Sequence, residues 1–327
     1  MANDVDYVMS VRAVKNGAFV ADVGPTRFLV VPGDADPARG QAIAASTWYK
    51  AVQTAGTWTN ADAQPRGDIV FVVHGYNVSE TEVIDRHRRI KEGLAALGFK
   101  GVVVSFDWPC GANALAYLAD RHLAKQTALR LVTDGITYLS AKQSPDCTIN
   151  IHLLGHSTGA YVIREAFDDA DDSSLKQASW TVSQIMLAAG DVSSGSMSDG
   201  NATAASIYNH CVRLTNYSSR HDAVLDISNI KRLGVAPRVG RVGLPDDAPS
   251  KAVNVDCSEY YVLLTDPVDA SVAKTDQPLG IAGVASHSWH FGNAIFTRDL
   301  FSTVIGIDRN SMPTRQSGSD QKLHLVR

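Results

Sequence analysis

Thr148-Ile149-Asn150-Ile151-His152-Leu153-Leu154 runs directly into Gly155-His156-Ser157-Thr158-Gly159 and then into the helical pattern of Ala160 to Phe167. An apolar strand that becomes a helix within a residue or two must make a sharp, strained turn. The serine at the apex then projects its hydroxyl away from the chain. Glycines flank it because a Cβ on either side would strike the neighbouring strand or helix. Set between a strand and a helix, this Gly-x-Ser-x-Gly pentapeptide reads as a nucleophile elbow, with Ser157 as the reacting side chain.

The surrounding pattern supplies the frame such an elbow needs. Asp68-Ile69-Val70-Phe71-Val72-Val73 is a continuous apolar run, as expected of a strand buried on both faces. Ser79 and Glu82 form a capping box for a helix running to Leu97. A strand at Gly101 to Phe106 and a long helix from Ala114 to Ser140 come next. Beyond the elbow lie strands at Val182 to Ala188, Cys211 to Asn216 and Tyr260 to Leu264. Strands alternating with helices imply a mostly parallel central sheet with helices on both faces, and ligands bind at the carboxyl edge of such a sheet. Before this core, Tyr7 to Val14 and Ala18 to Val23 flank Asn16-Gly17 as an antiparallel hairpin. A third strand at Arg27 to Val31 and a helix from Gln41 to Ala55 follow. Residues 1–310 are expected to form a single domain, with N-terminal strands and helix in 1–65 and the core in 66–310. Residues 311–327 are read as a polar C-terminal tail.

A serine hydroxyl needs a base to take its proton, and the base needs an acid to hold its ring. In this architecture the order is serine, acid, histidine. Asp222, in Ser218-Ser219-Arg220-His221-Asp222, follows one strand and opens a short helical turn near the sheet edge, so it is preferred as the acid. Asp191, just past the preceding strand, is the alternative. Ser286-His287-Ser288-Trp289-His290 offers two histidines, and spacing alone does not choose between them. His287 is preferred because it lies nearer the loop end. Two backbone N–H groups should hold the oxyanion. Thr158 supplies one, and Tyr76 in His74-Gly75-Tyr76-Asn77 supplies the other. His74 reads as a structural hydrogen-bonding group. Trp108 and His156 are candidate substrate-binding residues.

These segments together resemble the alpha/beta-hydrolase fold, and in particular the bacterial hydrolases grouped as domain of unknown function 900. The resemblance rests on Val72 to Ser79, Phe106-Asp107-Trp108-Pro109, Leu154 to Gly159, Leu187 to Asp191, Arg220 to Leu225 and Ser286 to Trp289. It departs at Cys110 and Gly190. It implies Ser157, Asp222 and His287 as a catalytic triad and a serine hydrolase cleaving carboxylic esters. A thioesterase with the same triad, or a silent binding protein on the same fold, are the alternatives.

Bulk properties bound the remaining classes. The 327 residues are 45% hydrophobic and 20% charged, with a net charge of −4. That balance gives no electrostatic footprint for nucleic acid. There is no run of about 18 apolar residues to span a membrane. Met1 to Asp6 lacks the basic and apolar regions of a secretory signal, so a cytoplasmic protein is expected. Cys110, Cys147, Cys211 and Cys257 are widely spaced and read as reduced, core-facing thiols. His287-x-x-His290 and His221-Asp222 lack a metal-binding pattern such as His-Glu-x-x-His, so neither metal nor other cofactor is expected. The implied partner is a small-molecule or lipid ester. Arg232, Arg238 and Arg241 read as part of a solvated loop within an irregular stretch from Ser228 to Lys251.

Overall fold

A computed structural model describes residues 4–110, 117–141, 148–173, 175, 180–230, 236–319 and 322–327. Asn16 and Gly17 take positive φ (52° and 84°) and close the turn between β1 (Val5–Lys15) and β2 (Ala18–Pro32). The two strands expected on either side of Gly24-Pro25 are one. Register shifts around Arg12 bulge the facing strand and let β2 continue past a proline that has no N–H to donate. β3 (Ala42–Ile43) pairs with β2, so the helix expected from Gln41 starts later, as α1 (Ala45–Gly56), and Ile43 lies outside it.

β4 (Thr57–Thr59) pairs antiparallel with β5 (Pro65–Val73). α2 (Glu80–Ala96) opens on the expected capping box: Glu82 N–H donates to Ser79 Oγ and Ser79 N–H to Glu82 Oε2. β6 (Val102–Asp107) follows, and α3 (Tyr117–Leu131) passes through a π-helical turn at Val132–Ile136 into α4 (Thr137–Ser140). The start of that expected long helix, residues 114–116, lies outside the described residues, as do Cys147 and Arg232. Next come β7 (Thr148–His156), α5 (Thr158–Asp171), β8 (Val182–Ala188), α6 (Ala202–Asn209), β9 (Cys211–Ser218), α7 (Ala223–Ile230) and α8 (Val239–Val242). The chain ends with β10 (Ala252–Asp256), α9 (Ser258–Leu264), α10 (Ser271–Asp276), α11 (Ala285–Ser288), α12 (Ala294–Val304), β11 (Arg315–Ser317) and β12 (Leu323–Leu325).

All these strands join one sheet, in the order β11-β12-β10-β9-β8-β7-β5-β6-β1-β2-β3, with β4 beside β5. β5 through β10 run parallel, and the antiparallel hairpin caps one edge. Side-chain alternation along β5 shows how both faces are buried. Ile69, Phe71 and Val73 join one core with Trp48 of α1, Ala124 of α3 and Val162 of α5. Val70 and Val72 join a second core with Ile90 and Leu94 of α2 and Leu300 of α12. A strand with apolar groups on both sides cannot rest against water on either.

Two expectations fail here. Tyr260 to Leu264 is a helix, and the last core strand is β10. Its aromatic and β-branched residues resemble a strand, yet Tyr260 and Leu264, four apart, are buried while Val262 and Leu263 are exposed, which is a helical period. β10 carries only Val253 and Val255 in alternation with polar residues, a weaker signal. The C-terminal segment, expected as a loose tail, adds β11 and β12 to the sheet. Arg315 holds it by a bidentate pair to the fully buried Asp299, with Nε at 2.9 Å and Nη2 at 2.6 Å. Charge complementarity between residues 16 apart anchors this end, together with Leu325 buried in the second core.

Candidate active site

β5, β6, β7, β8 and β9 deliver their carboxyl ends to one edge, and the predicted residues gather there. Ser157 stands between β7 and α5 with φ 56° and ψ −123°, a left-handed conformation that a side-chain-bearing residue adopts only under constraint. The constraint is visible. Ser157 N–H donates to Ala188 O (3.0 Å), and Ser157 O accepts from Asp191 N–H (2.9 Å) and Ala160 N–H (3.1 Å). The flanking glycines are required by contact. A Cβ on Gly155 would lie 2.7 Å from Ile163 Cδ1, and one on Gly159 would overlap the Val73 carbonyl oxygen.

His287, on α11, and Asp222, just before α7, meet at this edge. His287 Nδ1 lies 2.7 Å from Asp222 Oδ2, and Leu225 N–H donates to Asp222 Oδ1 (2.9 Å). Both side chains are buried. A carboxylate accepts but does not donate, so in the neutral imidazole the proton sits on Nδ1 and Nε2 keeps a lone pair. Ser157 and His287 line one cleft of about 300 Å³, together with Gly75, Tyr76 and Asn77. A group with a lone pair facing a hydroxyl can act as its general base. Thr158 opens α5, so its N–H has no carbonyl a turn earlier in the helix, and the helix N-terminus adds positive potential beside the serine. Tyr76 lies across the cleft, and a Cβ on the preceding Gly75 would come 2.8 Å from Ser157 Cβ.

The alternatives are placed elsewhere. The Asp191 carboxylate faces Arg238 Nε (3.1 Å) and Arg121 Nη1 (3.9 Å). Arg238 is therefore buried against an acid instead of standing in a solvated loop, and Arg241 donates to the Asp222 carbonyl (2.8 Å). His290 is buried with its ring stacked on Trp289 (centroids 4.1 Å apart), and burial together with nearby His287 lowers its pKa to about 3. Two proposed substrate contacts have other work. Trp108 is fully buried, outside the cleft wall, with Nε1 donating to the His74 carbonyl (2.8 Å). His156 reaches the cleft, but Nε2 donates to the His287 carbonyl (2.9 Å), which ties α11 to the end of β7. Burial first, then the nearby His287 and Arg86, hold His156 well below its ordinary pKa, so it stays neutral.

Sequence reading gave His74 a structural role without naming its partners. His74 Nδ1 donates to the Gly75 carbonyl (2.6 Å), and Nε2 lies 3.2 Å from Asp107 Oδ1. Ser10 Oγ and Arg12 Nε also donate to Asp107, each at 2.7 Å. Burial alone would push His74 down. The bond to Asp107, with Cys110 beside it, outweighs burial and raises the pKa to about 9. Through Asp107, His74 staples the loop after β5 to β1 and β6. Arg86 is a further residue missed from sequence. It lines the cleft from α2, in the inward stripe of Val83, His87, Ile90 and Leu94. A charged residue inside an apolar helical stripe is the signal that could have found it.

Sheet, crossover helices and elbow together define the alpha/beta-hydrolase fold. The chain belongs to the family described as "Alpha/beta hydrolase of unknown function (DUF900)", whose model matches residues 51–269. Among solved structures it is similar to a candidate hydrolase from Agrobacterium vitis S4 (11% identity, TM-score 0.37, covering 77% of this chain and 90% of that one). It is also similar to the RedJ thioesterase of the prodiginine pathway in Streptomyces coelicolor (14% identity, TM-score 0.32, 58% of this chain and 77% of that one). An esterase/lipase from an uncultured bacterium is a third (13% identity, TM-score 0.30, 68% and 83%). No curated protein matches the chain. Among the described residues, no helix is long and apolar enough to cross a membrane.

Proposed function

We propose that this chain is a serine hydrolase that cleaves carboxylic esters through an acyl-enzyme. One observation carries the reading: His287 Nδ1 bonds Asp222 at 2.7 Å, and the same cleft receives Ser157 from a strained turn. Ser157 Oγ attacks the ester carbonyl carbon while His287 Nε2 takes the hydroxyl proton. The N–H groups of Tyr76 and Thr158 receive the oxyanion. The tetrahedral intermediate collapses, the bond to the alcohol oxygen breaks, and Nε2 returns its proton to that oxygen. Water then repeats the sequence on the acyl-serine, releasing the acid. Asp222 keeps the imidazole in the required tautomer and stabilises the imidazolium formed in each half.

A fluorophosphonate probe tests the reading at its centre. Wild type should be labelled at Ser157, and Ser157→Ala should not. Labelling that is absent from wild type, or equal in both, refutes it.

A further inference from the structure

Four arginines are deeply buried: Arg12, Arg86, Arg238 and Arg315. Three face a buried carboxylate, Asp107 at 2.7 Å, Asp191 at 3.1 Å and Asp299 at 2.6 Å. Arg86 is 8% exposed and, among the described residues, has no ion pair. Its nearest acids are committed elsewhere. Glu82 Oε2 accepts from Ser79 N–H (2.9 Å) and Oγ (3.0 Å) at the exposed start of α2, and Asp85 Oδ2 accepts from Arg89 Nε (2.9 Å). A guanidinium withdrawn from water without a counter-charge is costly to a fold, which is why such groups are ordinarily paired. Burial, the largest influence on it, lowers the Arg86 pKa. The buried arginine without an ion pair is also the one in the wall of the cleft that holds Ser157 and His287.

Its surroundings hold the guanidinium ready. The Phe291 ring lies beneath it, 5.0 Å from centroid to Cζ, and supports a cation through its face. A Cβ on Gly283 would come 3.3 Å from Nη2, so the bare glycine leaves room beside the fork. The other ionisable groups lining the cleft are Tyr76, the exposed Glu82, His287 and the neutral His156. Arg86 is therefore the fixed positive charge of the cleft wall. A planar guanidinium with paired N–H donors is shaped for a carboxylate or phosphate.

We propose that Arg86 is a specificity residue that binds an oxyanion, carboxylate or phosphate, carried by the ester cleaved at Ser157. The inference rests on the ester-hydrolase reading above and names the substrate class within it.

Two matched pairs of esters test it on the full chain. Mono-(4-nitrophenyl) glutarate against 4-nitrophenyl valerate places the charge on the acyl side. 4-Carboxyphenyl valerate against 4-acetylphenyl valerate places it on the alcohol side. In at least one pair wild type should favour the anionic ester by about 10- to 100-fold in kcat/KM, chiefly through KM, as a charged hydrogen bond formed in both ground and transition states requires. Arg86→Met, which keeps the packing on Phe291, should lower the anionic ester's kcat/KM at least about 10-fold more than the neutral one's, and Arg86→Lys should recover part of the difference. No preference in either pair, or equal loss for both esters in Arg86→Met, overturns the proposal. Should Arg86→Met not fold, free glutarate must inhibit neutral-ester hydrolysis by wild type competitively, and no inhibition is a refutation. Should no ester be cleaved and no probe label Ser157, the hydrolase reading fails by itself. Calorimetry of glutarate binding to wild type and to Arg86→Lys then decides the oxyanion site: weaker binding to the lysine variant upholds it, and no binding to wild type overturns it.

Discussion

Replacing Asp222 by asparagine changes one atom and, on this geometry, reverses the histidine. Asp222 Oδ1 accepts from Leu225 N–H at 2.9 Å and Oδ2 meets His287 Nδ1 at 2.7 Å. An asparagine that keeps the first bond must place its oxygen at the Oδ1 position. Its NH₂ then points at Nδ1, which must give up its proton and become an acceptor. The proton moves to Nε2, and the nitrogen proposed to take the Ser157 proton can no longer accept it. The opposite amide orientation would set NH₂ against the Leu225 N–H, leaving buried donors unpaired at about 1–3 kcal/mol, so the unproductive tautomer is favoured. Such a tautomer error costs about 10⁴-fold in kcat, which is about 5.5 kcal/mol of barrier at about 1.4 kcal/mol per decade. Stability should change little, because volume and both contacts persist. The assay is kcat on a 4-nitrophenyl ester with thermal melting in parallel. A correctly folded Asp222→Asn that keeps more than about a tenth of wild-type kcat refutes the tautomer argument.

Three further perturbations have defined outcomes. His287→Gln should lose at least about 10³-fold in kcat, whereas His290→Phe, which preserves the stack on Trp289, should stay within about tenfold of wild type; the reverse pattern would move the base to His290. The raised pKa of His74 has a definite sign. Its pair with Asp107 contributes stability fully below the unfolded histidine's value of 6.5, and that contribution is lost as pH rises through about 9. Denaturant unfolding from pH 6 to 10 should therefore show a decline that His74→Gln flattens, and an equal decline in both proteins refutes the charged ring. Deleting residues 311–327 leaves Asp299 buried and without Arg315, which should cost about 3–5 kcal/mol of stability. Unchanged melting of the truncated chain would show that β11 and β12 are ornamental.

Local chemistry made part of this molecule readable in advance. The elbow was legible because its constraint is written in five consecutive residues, with two glycines where Ile163 and Val73 leave no room for a Cβ. The apolar run of β5, the capping box of α2 and the Asn16-Gly17 turn were equally local. The core strand β10 was harder, since two valines among polar residues carry little signal. The stretch at Tyr260 to Leu264 misled because strand-like composition overrode a helical period that only burial exposes.

The sequence by itself determined the alternation of strands and helices from β5 to β9 and placed Ser157 at the strand-to-helix turn, because both follow from periodicity and backbone constraint between near neighbours. Tertiary structure alone decided among equals. It brought His287, not His290, to Asp222, and gave Asp191 to Arg238 and Arg121. It also turned Trp108 inward, docked the C-terminal segment through Arg315, and left Arg86 in the cleft without an ion pair among the described residues. These outcomes depend on which charges and rings meet across 16 to 100 or more residues of chain. A linear pattern holds no distance between such groups, and the folded sheet edge sets it.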